Sequence, residues 1–276
     1  IVGSLEITFG GQTGANVQVV YSGSAFAAPS VLVKDADGNL INSADYSLSF
    51  SSTDYENVGV INVSAAPRQN GGRYNYIGSA LGTITISQKD LTNETVTITL
   101  EPNSYIYDGT QKRPDVTVQF GDKTLTFEND YTLSYQDNID ASENAKVQIN
   151  FVGNYSGAKE QTFEIEPKNI SSATATIENQ TFTGDKIEPE FDVTDLVNGS
   201  NVRLVKDRDY SVEFFNNTNV TDVAEAVVTG KGNYVGEKTF YFEIVGRSIA
   251  DAVVSAENVT YTGAENRASV SVLLDG

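Results

Sequence analysis

The sequence contains no cysteine, no histidine, no methionine and no tryptophan. Without cysteine there is no disulfide framework, no thiol nucleophile and no thiolate metal site. Without histidine the chain lacks the commonest general base and the commonest zinc ligand. There is also no run of about 18 consecutive apolar residues, so we expect no membrane insertion. These absences exclude disulfide and thiol chemistry and remove the usual zinc ligands, histidine and cysteine.

Basic residues are scarce as well, because 18 lysines and arginines stand against 37 aspartates and glutamates, for a formal net charge of −19. A nucleic-acid partner needs a basic surface that releases counterions from phosphate, and no such stripe is visible, so we expect no nucleic acid among the partners. The negative charge also opposes binding to an anionic membrane surface. Hydrophobic residues nevertheless make up 39% of the chain, which predicts a folded protein.

The chain has an internal repeat. Asp130-Tyr131 and Asp209-Tyr210 are 79 residues apart, and so are Gly153-Asn154-Tyr155 and Gly232-Asn233-Tyr234. The first stretch fits the same pattern with small changes in length. The recurring aromatic landmarks are Tyr21, Tyr107, Phe182 and Tyr261 in an aromatic-x-Gly step, Tyr46, Tyr131 and Tyr210 in an Asp-Tyr step, and Tyr76, Tyr155 and Tyr234 in a Tyr-x-Gly step. We therefore divide the chain into 1–87, 88–166, 167–245 and 246–276, the last being the first part of a fourth repeat.

Apolar and polar residues alternate within each repeat, for example over 115–120 and 145–151. This period of two predicts antiparallel strands with one face on a core, and the many turn residues between them predict a β-sandwich. Recurrence in every repeat favours core packing for the landmark tyrosines over a sugar-binding platform. The junctions have no Gly/Ser linker, so neighbouring repeats are each other's predicted partners and the array is predicted to form a rod.

The landmarks resemble the immunoglobulin-like repeats, about 80 residues long, of large surface proteins of Gram-positive bacteria. The third repeat carries the resemblance best, through Asp209-Tyr210, Asn216-Asn217, the run 230–236 and Phe242-Glu243-Ile244. The first repeat departs most, with Arg73-Tyr74-Asn75-Tyr76 at the Gly-Asn-Tyr position. The resemblance implies tandem immunoglobulin-like sandwiches that serve as extracellular, cell-wall-associated spacer or adhesin modules, and it brings no catalytic residues. We expect no cofactor, apart from the calcium considered below.

Several polar motifs allow more than one interpretation. Asp35, Asp37 and Asn39 resemble the start of a calcium loop, but position 46 is tyrosine where a full loop needs glutamate, and a simple turn also explains them. The run 230–236 is predicted to be a structural turn, because a strand pattern and not a helix follows it. Asp45, Asp130 and Asp209 are predicted to form Asx turns at strand entries. Lys112, Lys123 and Lys146 are candidate amines for a Lys–Asn cross-link, which remains open.

Two functions follow from these expectations. The first is a non-enzymatic stalk or spacer in which equivalent repeats hold another part of a surface protein away from the cell wall. The alternative is a module that binds a host glycan or protein, with the divergent first repeat as its predicted site. That alternative predicts an exposed aromatic or apolar patch within 1–86 that the next two repeats lack. In the fourth repeat the pattern over 270–274 predicts a hydrophobic strand, which either borrows a strand from a neighbour or packs on the third repeat.

Overall fold

A computed structural model describes residues 1–70 and 72–274. Nearly all regular elements are β-strands, and the helical elements within this range are two short 3₁₀ turns, Ser43–Asp45 and Ile170–Ser172. No helix among the described residues is long and apolar enough to cross a membrane. The predicted all-β fold class is confirmed.

The first repeat forms a three-stranded sheet in the order β2-β1-β4, a four-stranded sheet in the order β3-β9-β6-β5, and the small hairpin β7-β8. Its strands are β1 (Val2–Phe9), β2 (Gln12–Gly14), β3 (Asn16–Val20), β4 (Ser30–Asp35), β5 (Tyr46–Phe50), β6 (Gly59–Pro67), β7 (Gln69–Asn70), β8 (Arg73–Tyr74) and β9 (Ala80–Ser87). Strand β3 runs parallel to β9, whereas β5 and β6 pair antiparallel.

The second repeat has the sheets β11-β13-β14, β12-β18-β16-β15 and the parallel pair β10-β17. Its strands are β10 (Lys89–Asp90), β11 (Val96–Glu101), β12 (Ser104–Ile106), β13 (Asp115–Phe120), β14 (Lys123–Thr124), β15 (Tyr131–Gln136), β16 (Ser142–Phe151), β17 (Tyr155–Ser156) and β18 (Ala158–Glu166).

The third repeat has the corresponding sheets β20-β22-β23, β21-β27-β25-β24 and β19-β26. Its strands are β19 (Lys168–Asn169), β20 (Thr174–Ala175), β21 (Gln180–Thr181), β22 (Val193–Val197), β23 (Ser200–Arg203), β24 (Tyr210–Phe215), β25 (Thr221–Gly230), β26 (Tyr234–Val235) and β27 (Glu237–Val245). Among the described residues, every sheet of the chain lies inside one of the four predicted segments.

The two main sheets of a repeat share one core. In the third repeat a buried cluster joins Val193 of β22 to Tyr210 and Val228 of the four-stranded sheet. In the first repeat Gly82 of β9 lies directly beneath β1, because a Cβ at Gly82 would stand 2.8 Å from Ile7 Cδ1. Alternating side chains thus fill the space between two layers, which makes each complete repeat a β-sandwich.

Residue contacts divide the chain into two compact units, and they do not follow the predicted repeat boundaries. The first unit comprises Ile1–Tyr105, Lys112–Asn138 and Glu143–Glu164, so it contains the first predicted repeat and most of the second. The second unit comprises Ile106–Gln111, Ile139–Ser142 and Ile165–Gly276. Two short segments of the second predicted repeat therefore pack with residues of the third.

The fourth segment has the strand predicted over 270–274 as β29 (Val270–Leu273). Its partner is β28 (Val253–Ala256) of the same segment, to which it pairs antiparallel, rather than a strand borrowed from a neighbour. The core position predicted for Tyr261 is wrong, because Tyr261 is 84% exposed. The described part of this segment has only these two strands, so no second layer covers its side chains. Asp275 and Gly276, at the end of the predicted segment 246–276, lie outside the described residues.

Candidate functional site

The turn that carries Asn154 and Tyr155 joins the first two repeats inside the first unit. The side-chain Oδ1 of Asn154 accepts a hydrogen bond from the Val58 N–H at 2.9 Å, and its Nδ2 donates to Asn57 Oδ1 at 2.8 Å. The Tyr155 ring lies edge-on to Tyr21, with 5.4 Å between ring centroids and 88° between planes. One asparagine and one tyrosine of the second repeat thus contact three side chains or amides of the first.

The second unit contains the same junction. Asn233 Oδ1 accepts from the Ala141 N–H at 2.7 Å, and Asn233 Nδ2 donates to Asp140 Oδ1 at 2.8 Å. Tyr234 lies edge-on to Tyr107 at 5.8 Å and 72°. The two sets of contacts match atom for atom in their hydrogen bonds, so this arrangement is a feature of the repeat and not of one pair of sequences.

A left-handed glycine precedes each junction asparagine, whose side chain points toward the preceding repeat. Gly153 and Gly232 occupy the left-handed region, with φ of 64° and 61°. The turn is fixed on its other side by a parallel pair, in which the Lys89 N–H donates to the Asn154 carbonyl at 3.0 Å, and by the equivalent Lys168–Asn233 bond at 2.9 Å. The backbone of each asparagine is held within its own repeat, and its side-chain carboxamide bonds the preceding repeat.

A lysine completes the first junction. Lys123 Nζ lies 5.8 Å from the centroid of Tyr21 and 5.5 Å from that of Tyr155, and it contacts the Tyr21 hydroxyl at 3.3 Å. Burial by itself lowers the pKa of Lys123, but its contacts with the two tyrosine hydroxyls outweigh burial and raise the pKa above its usual value. The ammonium therefore stays charged against both rings, where cation–π attraction holds the two repeats together.

Beneath the turn of the second junction, the third repeat has an internal ion pair instead. The side chain of Asp195 is fully buried and bonds Lys168 Nζ at 2.5 Å and Ser172 Oγ at 2.9 Å. Burial, together with the charge of Asp195, raises the pKa of Tyr234 well above that of a free tyrosine. Counting from Pro114 and Pro189, the second repeat has Phe120 at the position of Asp195. The hydrogen bonds of the turn are thus shared by both junctions, whereas the packing beneath it varies.

The third repeat has the residues that would receive another such turn. Phe182 corresponds to Tyr21 and Tyr107 in the aromatic-x-Gly step, and Asn219-Val220 lies 79 residues after Asp140-Ala141. Val220 is 58% exposed. Among the described residues, the side chains of the Asn-Tyr turns at Asn75, Asn154 and Asn233 bond other partners and not this pair.

Apart from Tyr261, the landmark aromatics are buried or half-buried, as the sequence pattern suggests. Tyr46, Tyr131, Tyr210, Tyr155 and Tyr234 are buried, and Tyr21 is buried at the first junction. Tyr107, Phe182 and Tyr76 are half-buried. The recurrence of tyrosine was readable in the sequence, but its division into core and junction positions was not.

The candidate calcium residues form a turn. Asp35 Oδ1 accepts from the N–H groups of Asp37 at 3.0 Å and Asn39 at 2.9 Å. The Asn39 amide and, to a lesser degree, the Asn39 side chain and the Asp37 amide lower the pKa of Asp35. The three residues thus hydrogen-bond one another in the turn after β4. Among the described residues, no three or more acidic side chains are grouped so that they could hold a metal ion.

The Asx turns expected at Asp130 and Asp209 are wrong. Each carboxylate instead accepts a hydrogen bond from an amide four residues earlier. Asp130 accepts from the Thr126 N–H and Asp209 from the Val205 N–H, both at 2.8 Å. An Asx turn bonds an amide two residues later. In these two repeats the buried aspartate closes the loop that leads into the strand. Asp45 differs, because its Oδ1 accepts from Asn75 Nδ2 at 2.7 Å.

The candidate cross-linking lysines have different surroundings. Lys112 is buried and lies 5.8 Å from the Tyr105 ring centroid, whereas Lys146 pairs with Glu160 at 3.4 Å. Lys123 belongs to the first junction. No shared lysine position therefore emerges from the three.

Exposed apolar side chains do not single out the first repeat. Val60 and Leu81 are 57% and 75% exposed in the first repeat, but Phe215 and Tyr241 are 46% and 61% exposed in the third. The patch that would distinguish a binding module thus occurs outside 1–86 as well. No protein-family model matches the chain, and no curated protein matches it at a significant level.

Proposed function

We propose that the chain is a non-enzymatic spacer of a cell-surface protein, built from immunoglobulin-like repeats that lock onto one another. The observation that carries the proposal is the asparagine–tyrosine turn, which makes the same hydrogen bonds and the same ring contact at Asn154-Tyr155 and at Asn233-Tyr234. A spacer needs joints that transmit position, and a repeated joint made of directed bonds serves that purpose better than a flexible linker.

The repeated joint also favours a spacer over an enzyme. The chemistry that recurs at the junctions consists of carboxamide hydrogen bonds and the packing of tyrosine rings. Such groups hold surfaces together and have no reacting partner to act on. The extracellular, cell-wall-associated location of the proposal comes from the sequence resemblance to bacterial surface repeats.

The stiffness of the first junction tests the proposal. Because the chain has no cysteine, spin labels can be placed uniquely through Val60→Cys and Thr162→Cys, two exposed strand positions of the first unit. Double electron–electron resonance should give one narrow distance distribution for this labelled full-length chain. Asn154→Ala should broaden it, since the Val58 amide and the Asn57 side chain both lose their partner.

Asn75→Ala is the matched control. Asn75 occupies the same step in the first repeat, but it bonds Asp45 within its own repeat. This variant should leave the distribution narrow. A broad distribution in the labelled chain without further substitution would contradict the spacer.

A further inference from the structure

One sheet face of the third repeat exposes aromatic side chains. On the outer side of β24, β25 and β27, Tyr241 is 61% exposed, Val223 is 52% exposed and Phe215 is 46% exposed. Phe242, the neighbour of Tyr241 on the other side of the sheet, is 3% exposed and lies in the core. Phe215 and Tyr241 lie outside the core, and exposed aromatics of this kind are enriched at sites of recognition.

Sheet register places a carboxylate between the two rings. Glu225 of β25 is the cross-strand partner of Phe215 on one side and of Tyr241 on the other. Neighbouring strands lie about 4.8 Å apart, so the two aromatic positions are about 10 Å apart with the glutamate midway. We call these three residues the aromatic–acidic row.

The surroundings of the row are acidic. Glu213, Glu237 and Glu243 share the outer face by the alternation of their strands. Lys238 is the only basic residue in β24, β25 and β27, and it alternates to the opposite face, where its cross-strand partner is the buried Val228. Of these three described glutamates, Glu243 alone accepts a side-chain hydrogen bond, from the neutral Asn179 carboxamide at 2.8 Å. The face thus offers negative charge with no cation of its own sheet to balance it.

The second repeat shows that the fold does not require this composition. At the three positions of the row, 79 residues earlier, it has Gln136, Lys146 and Thr162. Lys146 there is paired with Glu160 on the same face. The second repeat therefore keeps the same sheet with a polar face whose one lysine is paired with a glutamate. Of these two repeats, the third alone has the aromatic–acidic row.

We propose that the aromatic–acidic row binds a basic polypeptide segment in polyproline II conformation, with arginines three residues apart. An arginine guanidinium stacks on an aromatic face and pairs with a carboxylate at the same time. In polyproline II the side chains repeat every three residues over about 9.3 Å, which matches the spacing of the two rings. The unbalanced glutamates around the row select a cationic partner over a neutral one.

This inference is independent of the spacer role, because the row lies on a sheet face and not at a junction. It also moves partner binding from the first repeat, where the sequence suggested it, to the third.

Fluorescence anisotropy with the full-length chain tests the proposal. The probes are labelled peptides of the sequence (Arg-Pro-Pro)3 and (Lys-Pro-Pro)3, together with a neutral β-1,4-linked glucose hexasaccharide, all at about 150 mM salt where the Debye length is about 8 Å. The arginine peptide should bind more tightly than the lysine peptide, and the hexasaccharide should not bind. Each exposed ring is worth roughly two- to fivefold in affinity.

The decisive variant is Phe215→Gln/Tyr241→Thr, which installs the residues of the second repeat and leaves the net charge unchanged. It should weaken the arginine peptide roughly five- to twentyfold. Glu225→Lys should also weaken binding, whereas Glu164→Lys, the same charge change on the face of the second repeat, should alter it by less than about twofold. Unchanged amide exchange in β25 confirms that each variant is folded.

Three results would overturn the proposal. Equal affinity of the arginine peptide for the double variant and the original chain would show non-specific attraction to a chain of net charge −19. Equal losses from Glu225→Lys and Glu164→Lys would show the same. Binding of the hexasaccharide that the double variant abolishes, without peptide binding, would assign the face to a glycan.

Discussion

The turn that builds each junction depends on glycines whose substitution should have unequal effects. Gly153 has φ of 64°, and a Cβ there would lie 2.4 Å from the backbone oxygen of Asn129. Gly232, its counterpart in the third repeat, has φ of 61°, but its Cβ would lie 3.2 Å from the oxygen of Arg208. Gly121 has φ of 59° and nothing within 4 Å of its Cβ position. The three alanine variants thus share a backbone strain and differ in steric overlap.

The expected losses follow from those distances. An L residue in the left-handed region costs about 1–2 kcal/mol, and this is the whole effect expected for Gly121→Ala. For Gly232→Ala a close contact should add a few tenths of a kcal/mol, roughly, because a small shift relieves it. For Gly153→Ala the overlap is with backbone and cannot be relieved by a rotamer, so overpacking should add about 1–3 kcal/mol.

Hydrogen exchange followed by mass spectrometry measures these losses locally, which matters in a chain of several repeats whose unfolding is not a single transition. Peptides covering 116–126, 148–158 and 227–237 report the opening free energy of the three turns that contain Gly121, Gly153 and Gly232. Gly153→Ala should also release the Val58 amide, since Asn154 can no longer reach it. Equal opening energies for the three variants would refute the steric reasoning.

Two further changes probe the second junction. Lys168→Met leaves the buried Asp195 carboxylate without its cation and should lower the local opening free energy measured by hydrogen exchange by about 3–5 kcal/mol. Adding Asp195→Phe, which installs the residue type of Phe120, should recover most of that loss. If the double variant recovers nothing, the pairing is contradicted. Because the pKa of Tyr234 is raised by burial and by Asp195, its stabilising effect is complete below about pH 10, the usual tyrosine pKa, and is lost as the pH rises above it. Tyr234→Phe should therefore keep the Ala141 amide protected in alkaline solution where the original chain loses protection, and identical alkaline profiles would argue against this account.

The sequence predicted the sandwich because its signals are local and repeated. Alternation over 115–120 fixes which side chains face the core, and Tyr131 and Tyr210 recur at one interval with the same burial. The glycines around Asn154 and Asn233 predicted a turn, and Gly153, Gly157, Gly232 and Gly236 all have positive φ. These features depend on residues close together in the chain, so one sequence reveals them.

The junction contacts could not be predicted because they join residues more than 90 positions apart. Nothing in Asn57 or Asp140 as a residue type shows that an asparagine of the next repeat will reach it. The sequence shows that Asn154-Tyr155 recurs as Asn233-Tyr234, but the packing of the tyrosine and the turn of the glycines already explain that recurrence without a role for the asparagine. Asp195 shows the same limit, since a lone aspartate in a strand pattern does not show that it is buried against Lys168.

The predictions for the fourth segment were incomplete for a different reason. The strand pattern over 270–274 was correct, but its partner, β28, is a short apolar stretch at 253–256 that alternation alone does not mark. Tyr261 was assigned to a core by analogy with Tyr21, Tyr107 and Phe182. A landmark residue is buried only where both layers of its sandwich are present.

Amide exchange at three equivalent positions tests the central claim most directly. The N–H groups of Val58 and Ala141 bond the side chains of Asn154 and Asn233, whereas Val220 occupies the same place in the third repeat and is exposed. If one junction is built twice, Val58 and Ala141 exchange slowly and at similar rates while Val220 exchanges fast. Val58 and Ala141 exchanging as fast as Val220 would contradict a repeated, locked joint.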